Sequence, residues 1–311
     1  MSKEKISPKV LVKKIKVNKA GLKDDPNVVG KPTATESIYG SFKWKPVKKR
    51  KDSPVREYKN IVIDSNDPGY INRVMIATPT KGMVRMEWVM ARYGQIVPVN
   101  WSQVQYVQFL YTASPIRFNV ANAQNVIVKQ VIEKDFEWLL LIEDDVILPE
   151  TAFLTLNKYI REETAPVVSG LYFTKSDPPE PLVFRGRGNS YYGNWKIGDL
   201  VWADAVPTGC LLIHAGILRE MWKESPEYSV NGIITRRVFD DPRKLWYDPA
   251  TGSYNTITGT SDLDWCTRVK EGGFFAKAGW KEFQKKKYPF LVDTSISCKH
   301  IDLSTGKQYP S

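Results

Sequence analysis

Cysteine and histidine are scarce in this sequence of 311 residues. The three cysteines (Cys210, Cys266 and Cys298) are widely spaced and odd in number, and there are only two histidines. Such cysteines provide neither a disulfide framework nor a cysteine-ligated zinc motif. They are typical of proteins that stay in a reducing compartment.

Long apolar segments are missing as well. The longest unbroken apolar stretches have the length of Trp138–Ile142, whereas a membrane-spanning helix needs roughly 20 such residues. The first 20 residues contain many lysines and no apolar core of a secretory signal. We therefore expect a soluble protein of the cytoplasm. With 42% hydrophobic and 25% charged residues, the composition is that of a folded globular protein.

Negative charge is scarce at the N-terminal end. Residues 1–60 contain 17 of the 45 Lys and Arg residues and 6 of the 34 Asp and Glu residues, so they carry the whole net charge of +11. Residues 61–311 are balanced, with 28 basic and 28 acidic residues. We expect a basic, mostly irregular arm (1–60) on a globular domain (61–311). The arm is predicted either to bind nucleic acid or another polyanion, or to be a solubilising extension.

Strand and helix patterns alternate after the arm. Phe136–Ile142 is a continuous apolar run, typical of a central strand covered on both faces. Within Arg117–Lys134, apolar residues recur every three or four positions, which predicts a helix. Further strands are predicted at Arg73–Thr78, Val104–Tyr111, Pro166–Leu171 and Gly209–His214, with only short strands and loops after residue 273. This order predicts an α/β fold with a doubly wound, mostly parallel, Rossmann-like sheet and a small antiparallel part.

Three consecutive carboxylates, Glu143, Asp144 and Asp145, follow the most apolar strand. Ligands of open α/β sheets bind beyond the carboxyl ends of the strands. Adjacent anions repel one another unless a cation neutralises them, and grouped carboxylate oxygens suit Mg²⁺ or Mn²⁺ bound to nucleotide phosphates. The triplet therefore predicts a metal and nucleotide site, with a solvated acidic turn as the alternative.

Four blocks of the sequence, spread over residues 72–302, resemble the GT-A-type nucleotide-sugar glycosyltransferases, in particular the large family-2-like group. That group has Ala-Arg-Asn on a helix, an apolar strand ending in Asp-X-Asp, and a later acidic block that contains the catalytic base. The corresponding segments are Ala123–Asn125 with Glu143–Val146, then Ala205–Ile213, then Ser261–Cys266 with Arg268 and Gly272–Phe274, and finally Cys298–His300. Gln124 and Ser261 depart from the pattern, since arginine and glutamate are usual there.

The resemblance implies a role for each matching residue. Asp262 would be the general base that deprotonates the acceptor, and Asp264 would orient it or take its place. Asp145 and His300 would hold Mn²⁺ or Mg²⁺. The residues implied to bind the nucleotide-sugar donor are Ala77, Thr78, Pro79, Asn125, Glu143 and Asp144.

The implied reaction is the metal-dependent transfer of a sugar from a nucleotide-diphosphate sugar to an acceptor hydroxyl, with inversion. The acceptor stays open between a cell-envelope glycan or protein and a modified DNA base. Some phage-encoded members act on DNA, and a basic arm suits such an acceptor. A nucleic-acid-binding protein on a degenerate transferase fold is the alternative from another class. A nucleotidyltransferase is a third alternative, although no glycine-rich basic phosphate loop follows the first predicted strand.

Overall fold

The computed structural model describes residues 73–98, 101, 118–186 and 191–311. The basic arm and the strand expected at Val104–Tyr111 lie outside these residues, so both stay predictions. Within the described ranges, no helix has the length and apolar character that a membrane span requires.

Strands and helices alternate along most of the described chain. The strands are β1 (Val74–Ala77), β2 (Trp138–Ile142), β3 (Val146–Ile147), β4 (Val167–Leu171), β5 (Leu200–Ala203), β6 (Cys210–His214), β7 (Glu227–Val230), β8 (Ile233–Arg236), β9 (Arg243–Asp248), β10 (Ser253–Thr258), β11 (Phe290–Ser297), β12 (Lys299–Ile301) and β13 (Gln308–Tyr309). The helices are α1 (Met86–Tyr93), α2 (Val120–Glu133), α3 (Ala152–Glu162), α4 (Ala215–Glu224), α5 (Ser261–Glu271), α6 (Phe274–Lys277) and α7 (Lys281–Gln284).

A six-stranded sheet in the order β1-β2-β6-β4-β11-β5 forms the centre of the described region. β1 pairs parallel with β2 and β4 with β11, whereas β6 and β5 run antiparallel to their neighbours. Hence β1, β2, β4 and β11 all run in one direction, and their carboxyl ends meet at one edge. The α/β class is confirmed, and the sheet is mixed because β6 lies antiparallel between β2 and β4.

Apolar sequence explains the centre of this sheet. All five residues of β2 are buried, as expected for a strand with a neighbour on each side and helices over its faces. The helix predicted within Arg117–Lys134 is α2, whose Ala123, Ile127 and Val131 are buried. Its first turn is capped by Asn119, whose side chain accepts a hydrogen bond from the backbone N of Asn122 (2.9 Å).

The chain after residue 273 differs from expectation. It forms two short helices and the eight-residue strand β11, which lies inside the central sheet between β4 and β5. Because β11 contains polar residues, its sequence does not indicate a strand inside the sheet. Asp293 is buried, and its carboxylate accepts hydrogen bonds from Tyr159 Oη (2.7 Å) and Ser295 Oγ (2.5 Å). Thr294 is buried as well and donates to backbone carbonyls before β5.

A second, three-stranded sheet lies next to the carboxyl end of β2. β12 is its middle strand and pairs antiparallel with both β3 and β13. In this register His300 is opposite Val146, and the backbone N of Ile301 donates to the carbonyl of Asp145 (2.8 Å). The small sheet therefore brings a late segment of the chain to the acidic triplet.

Candidate active site

The acidic triplet is fixed to its surroundings through the backbone of Glu143. Its N–H donates to the carbonyl of Gly209, which precedes β6 (3.0 Å). Its carbonyl accepts from the indole Nε1 of Trp88 on α1 (2.8 Å). The turn after β2 is thus held from both sides, so its three carboxylates have defined directions.

Asp145 and His300 face each other. His300 Nε2 lies 3.1 Å from Asp145 Oδ2. The other ring nitrogen, Nδ1, lies 2.8 Å from the carbonyl oxygen of Phe173; because a carbonyl can only accept, Nδ1 donates this hydrogen bond. Because Nδ1 is held by this carbonyl, Nε2 is the ring nitrogen that faces Asp145, and it is the nitrogen that would bind a metal.

Lys175 is a further cation at this carboxylate. Its Nζ lies 2.6 Å from Asp145 Oδ2, the same oxygen that faces His300. Burial alone would raise the pKa of Asp145, but the hydrogen bonds and charges of His300 and Lys175 hold it below its usual value. Asp145 is therefore ionised at neutral pH.

Glu143 is the buried member of the triplet. Its Oε1 accepts a hydrogen bond from Thr208 Oγ1 (2.7 Å), and Thr208 in turn accepts one from Gln124 Nε2 (3.2 Å). Burial, followed by the negative charge of Asp145, raises the pKa of Glu143 to about 8, despite the hydrogen bond from Thr208. Glu143 is thus a neutral acid at neutral pH. Gln124, which stands where the resembled family has arginine, belongs to its support.

Asp262 lies at the start of α5 near the same carboxylates. The hydroxyl of Thr260 and the backbone N of Leu263 (2.8 Å) both donate to its Oδ1. Burial raises its pKa, and its negative charge reaches Glu143. The two hydrogen bonds hold the carboxylate through one oxygen, Oδ1.

Tyr172 shows that the acidic groups converge. Burial, together with the charges of Glu143, Asp262 and Asp145, raises the pKa of Tyr172 well above its usual value. Its hydroxyl accepts a hydrogen bond from the backbone N of Gly209 (2.8 Å). Its ring meets that of His300 edge-on at 5.6 Å between centroids. Groups that follow β2, begin α5 and belong to β12 thus lie around one phenol.

Asp264 does not share this environment. Its Oδ2 forms an ion pair with Arg268 Nε one turn later in α5 (2.7 Å). Arg268 also donates to the carbonyls of Arg237 (3.1 Å) and Val238. Asp264 therefore holds the arginine that ties α5 to the segment after β8.

Asn125 is committed to protein contacts. Its Nδ2 donates to Phe239 O (2.8 Å) and Tyr228 Oη (3.0 Å), and its Oδ1 accepts from Phe239 N (2.7 Å). The side chain is 1% exposed. These contacts join α2 to the hairpin of β7 and β8, and they favour a structural role. The predicted contact of Asn125 with nucleotide stays a prediction.

The remaining predicted donor residues lie at the carboxyl ends of β1 and β2. Ala77, Thr78 and Pro79 are buried. Within the described residues the hydroxyl of Thr78 has no hydrogen-bond partner. Asp144 accepts hydrogen bonds from the side chain of Thr80 and the backbone of Lys81, and burial raises its pKa. These residues shape one wall of the site, and their contact with a donor stays a prediction.

Sequence reasoning missed Lys175 and Tyr172. Both follow β4, in residues that were expected to be loops and short antiparallel strands. Their signal was position, because β4 ends at the same edge as β2 and residues after it must lie near the triplet. A lysine four residues beyond a predicted parallel strand could therefore have been named as a candidate.

Asp145 and His300 are the two residues of this site that could hold a divalent metal. Within the described residues no group of three or more His, Cys, Asp and Glu side chains is arranged to hold a metal ion. Asp145 and His300 supply one carboxylate and one imidazole with the correct orientation. Mg²⁺ is commonly bound by one or two carboxylates and completed by waters and substrate phosphates. The pair therefore fits a metal that binds together with a nucleotide.

Comparison with known proteins gives distant matches. No protein-family model matches the chain, and no curated protein sequence matches it. Among solved structures, A197 from STIV matches with a TM-score of 0.43 and 16% identity over 74% of this chain and 87% of that one. TarS from S. aureus matches with a TM-score of 0.32 and 12% identity over 50% of this chain. TarS 1-349 in complex with UDP matches with a TM-score of 0.28 and 14% identity over 48% of this chain.

The chain spans 30% and 48% of the lengths of these two TarS structures. Likenesses this distant establish no shared activity. The function is therefore argued from the geometry of the site.

Proposed function

We propose that the protein transfers a glycosyl group from a nucleotide-diphosphate sugar to an acceptor hydroxyl, with Mn²⁺ or Mg²⁺ as cofactor. The observation that carries the proposal is the convergence of Asp145, His300, Glu143 and Asp262 at the carboxyl edge of the sheet. These groups could hold a metal and move a proton within one site.

Asp145 and His300 would hold the metal. When bound, the metal supplies Lewis acidity to the diphosphate leaving group. Asp145 provides the charged ligand, and the carbonyl of Phe173 keeps His300 oriented through Nδ1. Glu143, protonated in the free protein, would add no negative charge against the diphosphate and could donate a hydrogen bond to a hydroxyl of the donor.

Asp262 would accept the proton of the attacking acceptor hydroxyl. Its raised pKa moves it towards the working pH, which favours general base catalysis. The hydroxyl of Thr260 and the N–H of Leu263 hold Oδ1, so Oδ2 is the basic atom. A base on the side of the sugar opposite the diphosphate gives inversion at the anomeric carbon.

The donor proposal is tested by thermal unfolding with nucleotide diphosphates and their sugars, with Mn²⁺ and with EDTA. A ligand that binds the native state raises the melting temperature. We expect at least one nucleotide to stabilise the protein when Mn²⁺ is present, and Asp145→Asn to remove this effect. Asp177→Asn is the control, because that carboxylate is 87% exposed. If no nucleotide raises the melting temperature, the proposal is contradicted.

A modified base in DNA is the proposed acceptor, because the net charge of +11 resides entirely in residues 1–60. Each phosphate contact made by a lysine steepens the salt dependence of DNA binding. A full-length variant with Lys43, Lys45, Lys48 and Lys49 changed to Gln should bind DNA more weakly. The slope of log affinity against log salt should fall by as much as about 3 to 4.

The matched control changes Lys158, Lys196, Lys223 and Lys285 to Gln and removes the same charge from the domain. Equal behaviour of the two variants means that the arm does not bind DNA, and it moves the cell-envelope glycan ahead as acceptor. DNA binding by the arm without sugar transfer to any acceptor favours the nucleic-acid-binding alternative.

A further inference from the structure

Lys175 forms an ion pair with Asp145, the carboxylate proposed to bind the metal. Its Nζ forms an ion pair of 2.6 Å with Asp145 Oδ2. The same oxygen faces His300 Nε2 at 3.1 Å. The side chain of Lys175 is 31% exposed, whereas that of Asp145 is 19% exposed. Lys175 is thus the more exposed partner of the ion pair.

A divalent cation bound by Asp145 and His300 would compete with the ammonium of Lys175 for the negative charge of the carboxylate. A Mg²⁺ ion lies about 2.0–2.1 Å from its oxygen ligands, which is closer than Nζ is now. Two cations at that separation from one oxygen repel each other. Metal binding therefore weakens the hold of Asp145 on Lys175.

The long, flexible lysine side chain can move away from Asp145. The backbone around it is held independently of the ammonium, because Thr174 N donates to Glu180 O (2.8 Å) and Glu180 N donates to Thr174 Oγ1 (2.9 Å). A diphosphate bound to a metal at Asp145 would bring negatively charged oxygens within reach of the ammonium. An ammonium and a phosphate oxygen form a strong, charge-assisted hydrogen bond.

We propose that Lys175 is a donor-binding residue that exchanges Asp145 for the diphosphate of the nucleotide sugar. This inference rests on the proposed function. In the free protein Lys175 competes with the metal for Asp145, and in the complex it binds the donor. The two roles predict effects of opposite sign for one substitution, which a purely structural ion pair does not.

The experiment measures the binding of Mn²⁺ alone, and of inorganic pyrophosphate at saturating Mn²⁺, to the full-length protein by titration calorimetry. Lys175→Met removes the charge and keeps much of the side-chain length. We expect it to bind Mn²⁺ more tightly than wild type and pyrophosphate about tenfold or more weakly, the loss expected for a hydrogen bond between charged groups. Lys175→Arg should recover most of the pyrophosphate affinity.

Lys307→Met is the matched control. Lys307 lies 3.9 Å from Asp177, and both side chains are exposed, so its loss should change neither affinity. If Lys175→Met binds pyrophosphate as wild type does, the inference is overturned while the proposed function stands. If wild type binds neither Mn²⁺ nor pyrophosphate, both are overturned. Parallel weakening of Mn²⁺ and pyrophosphate binding in Lys175→Met also overturns the exchange, because Lys175 then only maintains the site.

Discussion

The two acidic segments of the site, residues 143–145 after β2 and residues 262–264 at the start of α5, are stabilised in different ways. Glu143 and Asp145 are contacted by side chains distant in the sequence: Thr208 for Glu143, and Lys175 and His300 for Asp145. Asp262 and Asp264 depend on their own helix and the residue before it, through Thr260, Leu263 and Arg268. The first segment is a product of tertiary structure, and the second is largely local.

This difference bears on how each carboxylate gains its properties. In the first segment, burial and the charge of Asp145 keep Glu143 protonated, whereas the distant His300 and Lys175 keep Asp145 ionised. In the second, one aspartate is buried with a raised pKa, and the other is neutralised by an arginine one turn away. Substitutions that separate the members of each segment test the comparison most directly.

The largest effect is expected for Asp145→Asn. The amide removes the negative charge that would bind a metal, while its shape leaves the contacts with His300 and Lys175 in reach. We expect metal-dependent nucleotide binding and sugar transfer to be lost, and the circular dichroism spectrum to be retained. Transfer measured with excess chelator provides the second check, and full activity in EDTA contradicts metal dependence.

The second effect is the contrast between Asp262→Asn and Asp264→Asn. Loss of a general base lowers kcat by about 10²–10⁴-fold, so Asp262→Asn should do this with little change in donor affinity. Because burial raises the pKa of Asp262, the acidic limb of the wild-type rate profile should lie above the usual aspartate range. Asp264→Asn should lower kcat far less. If Asp264→Asn lowers kcat strongly and Asp262→Asn lowers it only slightly, Asp264 is the base and the assignment is reversed.

The third effect concerns the pH dependence of stability, measured with chelator present. The pKa of Glu143 is about 8 in the folded protein and about 4.5 in an exposed glutamate. Between these values the folded state binds a proton that the unfolded state has lost. The contribution of Glu143 is therefore complete below about pH 4.5 and is lost as the pH rises through about 8.

Glu143→Gln has no such proton and still accepts the hydrogen bond from Thr208. Urea unfolding at about pH 5 and about pH 9 should show a smaller loss of stability in this variant than in wild type. Asp177→Asn, at a highly exposed carboxylate, should keep the wild-type pH dependence. Identical pH dependence in Glu143→Gln means that Glu143 is ionised throughout.

Much of the fold was predictable, because buried strands form continuous apolar runs in the sequence. The runs that became β2, β4 and β6 are buried and lie within two residues of their predicted bounds. The strand β11 was not, since Asp293 and Thr294 look like surface residues until Tyr159 and the segment before β5 satisfy them. In the site, the family resemblance predicted that Asp145 and His300 act together as metal ligands. Lys175 belongs to no motif and no periodic pattern, and its only signal was its position after the predicted strand β4.

The smallest effect is expected for the ion pair of Asp264 with Arg268. The side chains are 19% and 32% exposed and four residues apart in α5. Pairs of this kind contribute about 0.3–1 kcal/mol. Removal of Asp264 alone should cost somewhat more, because Arg268 also holds the carbonyls of Arg237 and Val238.

A double-mutant cycle with Asp264→Asn and Arg268→Met, followed by urea unfolding, isolates the coupling. The unfolding free energy should show a coupling within that range and no dependence on Mn²⁺ or nucleotide. Coupling that grows when nucleotide and Mn²⁺ are bound would place Asp264 in the reaction site, and the contrast between the two aspartates of α5 would then be wrong.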